Sequence, residues 1–469
     1  MTSLVPVILV GGSGSRLWPL SYGKYTKPFI RFFNQANLAQ QTLDRLKDLK
    51  IKKILIICNA IHQDEVQSLH SDFKIQIIVE ENTCNTAAAG GIASLSVDPS
   101  DTILLLPADH LISDAKKFTS TVNHALVHHS DQHFLAFCKD PKSENINYGY
   151  LKKGKKLASN LYEVSKFVEK PNKSKAKSYI NSKNYLWNCG IYLFQAKTFL
   201  KELKSHEPKI YFACMQANER SQTLNEIKFL NVILSKELRL SVDTAIMEKT
   251  KFIRAIIHNS DWSDLGTWNS LDQASSIYLD KDKNYISGDV ILKSVKKSFV
   301  ISDRKTFLQG LDNIFVISTQ AGLLISNKKD SLDNFQKLID DYEINNTDTE
   351  SQNGESLNEE ERPWGSFQVL NKGEGFQSKI LKILPNEKIS LQKHHHRSEH
   401  WVVLEGLARI TKDDQTFLLQ ENESTFIPIG SKHSIKNISS KILKIFEVQT
   451  GNFLSESDIV RYNDKYGRK

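Results

Sequence analysis

The stretch Val5–Phe29, which reads VPVILVGGSGSRLWPLSYGKYTKPF, decides the fold expected for the first part of this chain. Its opening run, Val5–Val10, is apolar, rich in β-branched side chains and too short for a helix, so it predicts a buried strand. Glycines follow at once and let the backbone turn tightly close to a ligand; they are Gly11, Gly12 and Gly14. Successive backbone N–H groups in such a loop form an anion site.

Polar and charged residues follow the glycines. Ser15 adjoins the loop, and Arg16 and Lys27 are cations suited to a phosphate chain. The alternative is an ordinary glycine turn with two surface cations. The spacing differs from both common phosphate-binding motifs, because Leu17 replaces the last glycine of GxGxxG and the Gly-Lys-Ser/Thr of a Walker A loop is missing.

Length and composition predict a soluble protein of two or three domains. The chain has 469 residues, of which 40% are hydrophobic and 25% charged. No apolar run approaches the roughly 20 residues of a membrane span, and no basic region precedes the first apolar run. We therefore expect a cytoplasmic protein without a membrane partner.

Net charge and cysteine spacing indicate the kind of substrate and the redox environment of the protein. The net charge of +8 is spread along the chain, which suits small anionic substrates rather than nucleic acid. The five cysteines are odd in number and widely spaced, which favours a reducing compartment over a disulfide framework or a zinc knuckle.

Residues 1–270 alternate apolar runs with helical patterns, which predicts an α/β domain with a mostly parallel sheet covered on both faces. The predicted strands after Val5–Val10 are Ile54–Cys58, Ile75–Val79, Thr102–Leu106 and Phe134–Phe137, and the predicted helices include Ala39–Leu49 and Ala115–Val127. Ligands of such sheets lie beyond the carboxyl ends of the strands, where the glycine loop and Asp109 both fall.

Asp109 ends the apolar run Leu104–Ala108. A carboxylate in that position is well placed to bind Mg²⁺, which takes few protein carboxylates and keeps water and phosphate as its other ligands. The alternative is the N-cap of a helix. Taken alone, the residue favours neither interpretation.

Seven motifs in one order resemble the sugar-nucleotide pyrophosphorylases, in the mannose-1-phosphate guanylyltransferase branch. They are GGSGSRLWPLS with a later Lys-Pro-Phe, CNTA at 84–87, LPADHLISD at 106–114, YGY at 148–150, FVEKP at 167–171, WNCGI at 187–191 with SVDTAIMEK at 241–249, and WSDLG at 262–266. The resemblance implies the fold of that family and the transfer of GMP from GTP to mannose 1-phosphate.

The resemblance also assigns roles to residues. The nucleotide-binding set is Gly11, Gly12, Gly14, Ser15, Arg16, Lys27, Asn85 and Asp109. The sugar-phosphate set in this domain is Gly149, Glu169, Lys170, Asn188 and Asp243. Mg²⁺ would be held by Asp109 and Asp264, whose pairing is implied by the resemblance alone. The implied catalytic set is Arg16, Lys27, Asp109, Lys170 and Asp264.

The chain departs from the family pattern at several positions. The family's Arg, Pro and Gln of the opening motif are Tyr22, Thr26 and Pro28, its Arg-Asn-Thr-Ala begins with Cys84, and the acidic position of its T-x-D-A motif is Ala321. Two cations are therefore lost near the nucleotide. A non-catalytic sugar-nucleotide sensor, or an enzyme that uses another base or hexose, is a second hypothesis.

The next two segments differ in composition. Residues 271–340 contain short strand-like runs split by turns, and they resemble the small β-helical segment of the family, with packing or dimer contact as its expected role. Residues 341–361 carry many acidic and no basic side chains, which predicts a linker and places the last domain at 362–469.

The last domain carries four histidines within His394–His400. The first metal motif of the cupin family fits Gln392, His394, Glu399 and Gly406, and the second fits Pro428, Gly430, His433 and Asn437. The assigned ligands are Gln392, His394, Glu399 and His433, a set that suits Zn²⁺ or a similar divalent metal. The alternative is a histidine-rich surface patch.

This region resembles the type II phosphomannose isomerases, so the whole chain is similar to bifunctional mannose-6-phosphate isomerase/mannose-1-phosphate guanylyltransferases. The resemblance implies interconversion of fructose 6-phosphate and mannose 6-phosphate in a cupin β-barrel, and a homo-oligomer, expected to be a dimer. Arg397 (also in the catalytic set) and Arg461 are candidates for the sugar phosphate, and Lys393, His396 and Glu447 for the general base. A guanylyltransferase with a structural or regulatory cupin is the alternative.

Overall fold

A computed structural model describes residues 3–12, 15–22, 25–33, 35–224, 227–330, 359–373, 375–454 and 458–462. The chain divides into two compact units, Met1–Asn346 and Thr347–Lys469. Most of the predicted linker lies outside the described residues.

A large mixed sheet forms the centre of the first unit. The strands of this part are β1 Leu4–Val10, β2 Ile54–Asn59, β3 Ile75–Glu80, β4 Thr102–Pro107, β5 Leu111–Ile112, β6 Phe134–Lys139, β7 Tyr150–Ala158, β8 Leu161–Val168, β9 Tyr185–Gln195, β10 Gln222–Leu224, β11 Ile227–Leu230, β12 Ile253–Ile257 and β13 Trp262–Ser263. Eleven of them pair in the order β10-β11-β3-β2-β1-β4-β9-β6-β12-β8-β7.

Parallel pairing joins β11, β3, β2, β1 and β4, whereas β9 runs antiparallel to both β4 and β6. The α/β nucleotidyltransferase fold is thus confirmed, but the sheet is mixed where we expected mostly parallel strands. One of the antiparallel pairs has a local cause, because two residues join β7 to β8 and such a hairpin pairs antiparallel. Asn160 adopts φ 56° in that turn.

The helices cover this sheet. They are α1 Leu38–Asp44, α2 Gln63–Gln67, α3 Asn85–Leu95, α4 Ala115–Val127, α5 Lys173–Ser182, α6 Ala196–His206, α7 Pro208–Glu219 and α8 Trp268–Ala274. Helix α4 has the predicted bounds, and the Asp114 side chain caps it by accepting from the Lys117 N–H at 2.9 Å. Helix α1 ends five residues before its predicted end, because the backbone continues in turns closed by i to i−3 bonds. Within the described parts of the chain, every helix is too short or too polar to cross a bilayer.

Short strands follow α8, which itself crosses the predicted boundary at residue 270. They are β14 Tyr285–Ser287, β15 Val290–Lys293, β16 Phe299–Ser302, β17 Thr306–Gln309, β18 Ile314–Thr319 and β19 Gly322–Asn327. Strands β14, β16 and β18 stack in parallel, as do β15 and β17, which confirms the small β-helical segment. Its Phe299 and Phe315 pack against Leu17 behind the glycine loop, and the Thr319 hydroxyl donates to the Pro19 carbonyl at 2.9 Å. The segment therefore supports the loop from behind.

The second unit is a barrel of two facing sheets. Its strands are β20 Glu359–Arg362, β21 Gly365–Gly373, β22 Phe376–Ile383, β23 Leu391–His394, β24 Arg397–Glu405, β25 Leu407–Lys412, β26 Gln415–Gln420, β27 Ser424–Ile427, β28 His433–Asn437, β29 Leu443–Gly451 and β30 Ile459–Tyr462. The sheets run β20-β21-β22-β29-β24-β27 and β26-β25-β28-β23-β30, with Trp401 and Ile435 among the core residues. The cupin barrel is confirmed. Residues 359–361, predicted as linker, instead form part of β20, which pairs with β21 as an outer strand.

Candidate active sites

A cavity of about 620 Å³ opens at the carboxyl ends of the first strands. It brings together most of the residues that the sequence predicts for nucleotide, sugar and Mg²⁺. The predicted residues that line it are Gly11, Gly12, Arg16, Asn85, Asp109, Gly149, Glu169, Lys170, Asn188, Asp243 and Asp264. The sheet explains this gathering, because neighbouring strands such as β1 and β4 run parallel and end at the same edge.

The glycine loop forms one wall of this cavity. Gly11 and Gly12 follow β1 directly, and Gly12 has φ +91°, a left-handed conformation that favours glycine. The chain then forms a short 3₁₀ turn at Ser15–Leu17, which places Arg16 at the cavity. Gly14 lies outside the described residues.

Lys27 connects the two aspartates that the sequence could not pair. Its ammonium lies 2.6 Å from Asp109 Oδ2 and donates to the backbone carbonyl of Asp264. Burial alone would raise the pKa of the Asp109 carboxyl, but the charge of Lys27 and its hydrogen bond hold that pKa below its usual value. Lys27 is only 6% exposed and is not among the described residues that line the cavity, so its contact with the triphosphate stays a prediction.

A small ladder brings Asp264 beside Asp109. Strand β13 pairs antiparallel with β5, so that Trp262 opposes Ile112 just after the buried strand that ends near Asp109. The side chain of Asp264 is fixed by the Tyr148 hydroxyl, which donates to Oδ1 at 2.9 Å. Tyr148 belongs to the YGY motif, but nothing in the sequence indicated its hydrogen bond to Asp264.

The opposite wall carries the sugar-side residues. Asn188 Nδ2 donates to Asp243 Oδ1 at 2.7 Å, and the Tyr192 hydroxyl donates to the same oxygen. Sequence reasoning missed Tyr192, although it follows Asn188 by four residues on β9 and strand periodicity places both on one face. A Cβ at Gly149 beside them would lie 2.6 Å from Glu169 Oε2, so a larger residue there would displace that carboxylate.

Glu169 and Lys170 follow β8 at the cavity. The Lys170 ammonium lies 3.5 Å from Glu169 Oε1. Burial and the charge of Asp243 raise the pKa of Glu169 to about 7, and Lys170 opposes that shift. The carboxyl therefore titrates in the neutral range when no sugar is bound.

The nucleotide end of the cavity differs from the family pattern. Asn85 begins α3 and lines the cavity, whereas the Cys84 thiol before it is buried and donates to the Val232 carbonyl. Glu80 also lines this end, and burial raises its pKa to about 8. Arg239 lines it as well. Neither Glu80 nor Arg239 was predicted as a site residue.

In the barrel, three predicted metal ligands converge. His394, Glu399 and His433 are all buried and offer ligand atoms within 4.8 Å of one another. His394 Nε2 lies 3.0 Å from Glu399 Oε1, and His433 Nε2 lies 3.5 Å from Glu399 Oε2. Strands β23, β24 and β28 present these side chains to the interior of the barrel.

The donor set fits a divalent metal. Glu399 Oε2 and His433 Nε2 are buried and have no hydrogen-bond partner among the residues that the structure describes. The carbonyl of Ser431 lies 2.9 Å from His433 Nδ1, which assigns the proton to Nδ1 and leaves the Nε2 lone pair for a ligand. Buried polar atoms without partners are rare unless an ion or water satisfies them.

Two glutamines lie near this cluster. Gln392 opposes His433 on the neighbouring strand, and its Oε1 accepts from the Ser390 hydroxyl at 3.4 Å. Gln449, which was not predicted, donates through Nε2 to Glu399 Oε1 at 3.0 Å and to Glu447 Oε2 at 3.0 Å. Residues 447 and 449 are two apart on β29 and therefore lie on the same face of the strand, so strand periodicity could have predicted that Gln449 lies beside Glu447.

The two predicted phosphate-binding arginines have different surroundings. Arg397 is buried, with Nε 3.3 Å from Glu399 Oε1 and Nη2 3.5 Å from His394 Nε2. Burial opposes ionisation of Glu399, but His394, His433 and Arg397 hold the pKa of this carboxyl below its usual value. Arg461, on β30, lies opposite Gln392 of β23. Both arginines line a small cavity inside the barrel.

The three candidates for the general base differ in whether the side chain faces the interior of the barrel. His396 is exposed, and its ring lies 2.8 Å from Asp458. Lys393 precedes His394 on β23, so strand alternation turns it from the interior. Glu447 is buried in the barrel and lines its cavity, where it accepts from the Trp401 indole at 3.0 Å. Burial, the charge of Glu399 and the weaker opposing charge of Lys379 give Glu447 a pKa of about 8.

Comparison with known families matches one family model to each of the two units. The nucleotidyl transferase family model matches residues 5–281, and the model of the C-terminal domain of mannose-6-phosphate isomerase matches residues 349–464. Together they define the class, a two-part protein that combines a nucleotidyltransferase with a phosphomannose isomerase-type cupin. A Thermus thermophilus structure titled mannose-1-phosphate geranyltransferase shares the fold, with a TM-score of 0.62 and 24% identity over 73% of this chain and 100% of its own.

Relatives that match over nearly the whole chain identify the family within this class. A mannose-1-phosphate guanylyltransferase of Salmonella muenchen is 35% identical over 478 residues, covering 100% of this chain and 99% of the relative. The alginate biosynthesis protein AlgA of Pseudomonas aeruginosa is 36% identical over 478 residues, covering 99% and 97%. The chain belongs to the family of these two-domain mannose-1-phosphate guanylyltransferases.

Proposed function

We propose that the first unit transfers GMP from GTP to mannose 1-phosphate. A phosphate oxygen of the sugar attacks the α-phosphorus of GTP, the bond to the β-phosphate breaks, and GDP-mannose and pyrophosphate are formed. The observation that carries this proposal is the shared cavity, whose lining includes Gly12, Asp109 and Asn188. The family names of the full-length relatives support the substrates.

The cavity residues then take distinct tasks. The glycine-loop amides and Arg16 bind the phosphates of the nucleotide. The Asn188 amide donates to or accepts from sugar hydroxyls, and the Glu169 carboxylate accepts from them. Lys170 neutralises the charge of the attacking phosphate. The buried ammonium of Lys27 holds the Asp109 carboxylate in place and keeps it ionised. Catalysis of this kind needs positioning and charge neutralisation, and no covalent nucleophile is required.

Asp109 and Asp264 are the residues that would hold Mg²⁺. Both line the cavity, and hydrogen bonds to Lys27 and Tyr148 fix them. Carboxylate oxygens are the ligands that Mg²⁺ prefers. The ion would supply charge neutralisation for the phosphates.

The test is a substrate panel with the full chain and Mg²⁺. Pyrophosphate release should require both GTP and mannose 1-phosphate and should be much slower with ATP, UTP or glucose 1-phosphate. Chromatography should identify GDP-mannose as the product. Tight nucleotide binding without pyrophosphate release in any combination would instead support the sensor hypothesis.

We also propose that the barrel interconverts fructose 6-phosphate and mannose 6-phosphate. His394, Glu399 and His433, with Gln392 as the predicted fourth ligand, would hold Zn²⁺ or a similar divalent metal, which would polarise the sugar carbonyl. The orphaned Glu399 Oε2 supports this assignment. Arg461 is the candidate for the phosphate of the substrate, whereas Arg397 contacts the metal ligands.

Within this proposal Glu447 moves the proton between C1 and C2. It takes the C2 proton of the aldose, the C–H electrons form a C1=C2 double bond, and the electrons of the C1 carbonyl move to O1. Glu447 then returns a proton to C1, while the O2 proton passes to O1 and the C2 carbonyl forms. Its position supports this task, because Gln449 joins it to Glu399 inside the barrel. Lys393 and His396 lack such a position. The predicted homodimer stays a prediction.

The isomerase test supplies fructose 6-phosphate to metal-reconstituted protein and measures mannose 6-phosphate. Formation of mannose 6-phosphate would support the bifunctional assignment. Its absence, in a preparation that releases pyrophosphate, would support the alternative in which the cupin is structural or regulatory.

A further inference from the structure

Arg239 is a cation at the nucleotide end of the first cavity that no sequence motif indicates. It precedes the SVDTAIMEK segment and is exposed, yet it lines the cavity together with Asn85 and Thr86. It therefore offers a guanidinium to whatever anion enters that end.

Backbone contacts fix the segment that carries Arg239 against α3. Asn85 Nδ2 donates to the Arg239 carbonyl at 3.2 Å, and the Ala87 N–H donates to the Leu240 carbonyl at 3.2 Å. The Arg239 Nε itself donates to the Leu234 carbonyl at 3.3 Å. These bonds fix the arginine beside Asn85, the predicted nucleotide contact.

The cavity lining carries the carboxyl groups of Glu80, Asp109, Glu169, Asp243 and Asp264, so binding of an anion there depends on its few cations. The ammonium of Lys27 is already used by Asp109, and Lys170 lies 3.5 Å from Glu169. Among the described residues that line the cavity, the guanidinium groups are those of Arg16 and Arg239. A nucleoside triphosphate with several negative charges therefore needs both of them.

We propose that Arg239 binds the triphosphate of the nucleotide. The neighbouring Cys84 side chain, before α3, is a buried thiol that donates to the Val232 carbonyl and carries no positive charge. The proposal rests on the proposed guanylyltransferase function and adds a nucleotide-binding residue to it.

The test compares Arg239→Ala and Arg239→Lys with Lys236→Ala, a matched control. Lys236 is an exposed cation three residues earlier that does not line the cavity. Equilibrium dialysis with GTP alone should show a Kd about tenfold higher for Arg239→Ala, as expected for one lost charge-assisted contact. Arg239→Lys should recover part of this loss, Lys236→Ala should bind like the wild type, and high salt should shrink the difference.

Two results would overturn the proposal. One is unchanged GTP binding by Arg239→Ala. The other is an equal loss of affinity for GTP and for guanosine, measured by competition, because that would place the arginine on the nucleoside. Dialysis needs no turnover, so failure of this proposal remains distinguishable from failure of the proposed reaction, which the wild-type pyrophosphate assay reports.

Discussion

The Lys27 ammonium lies 2.6 Å from the Asp109 carboxylate, although 82 positions separate the two residues and the sequence indicated different tasks for them. The same ammonium donates to the Asp264 carbonyl, so one buried lysine ties both candidate Mg²⁺ ligands to the glycine-loop region. In the structure, this predicted phosphate ligand contacts both candidate Mg²⁺ ligands.

Replacement of Lys27 tests this role. Lys27→Met should lower the free energy of unfolding by about 2 kcal/mol, because Asp109 would lose its counter-charge inside a partly buried site. Urea unfolding measures this change. Lys47→Met is the control, because Lys47 pairs with Asp44 on the exposed surface and its loss should change the free energy of unfolding far less. Equal stability of the two variants would contradict the positioning role.

Sugar affinity should depend on pH through Glu169. Its pKa of about 7 means that the carboxyl is protonated below neutral pH and ionised above it. Because the carboxylate accepts hydroxyl hydrogen bonds, mannose 1-phosphate should bind about tenfold more tightly at pH 8 than at pH 6. Calorimetric titration measures this, and Glu169→Gln separates it from the titration of the substrate phosphate, which both proteins share. A Glu169→Gln profile as steep as that of the wild type would argue against Glu169 as the titrating group.

Metal content should depend on the buried histidines of the barrel. His433→Ala removes a ligand and should lower the cupin metal per chain to less than half of the wild-type value, measured by atomic emission after gel filtration. His395→Ala removes an exposed histidine of the same run and should leave the metal content unchanged. Retention of full metal content by His433→Ala would exclude it as a ligand.

Glu447→Gln should separate proton transfer from metal binding. The amide keeps the size of the side chain and a bond to Trp401, but it cannot take a proton, so the isomerase rate should fall at least a hundredfold. Metal content and pyrophosphate release should stay at wild-type levels. Exchange of the C2 proton with deuterated solvent should be lost together with turnover. A variant that isomerises normally would assign the proton transfer elsewhere.

The sequence predicts those features that depend on local pattern. Buried β-branched runs located β1 and β2, and helical spacing located α4 with the bounds that the structure gives it. Cupin spacing identified His394 and His433 because adjacent strands turn alternate residues inward.

Features that depend on tertiary contacts were not predictable in this way. The ladder between β5 and β13, which joins the two aspartates, is too short to leave a periodic signal. The bond from Gln449 to Glu399 and the position of Arg239 beside Asn85 arise from strand and segment packing. The sheet was expected to be mostly parallel because the alternation of strands and helices hides the reversal of β9.

We propose two active sites for phosphorylated hexoses in this chain, and they should work independently of each other. The most direct measurement compares both reaction rates in Asp264→Asn, His433→Ala and the surface control Asp261→Asn. Asp264→Asn should lose at least a hundredfold in pyrophosphate release and keep isomerase activity, His433→Ala should show the reverse, and Asp261→Asn should keep both. Loss of both activities in either single variant with its fold intact, or of neither, would contradict the account.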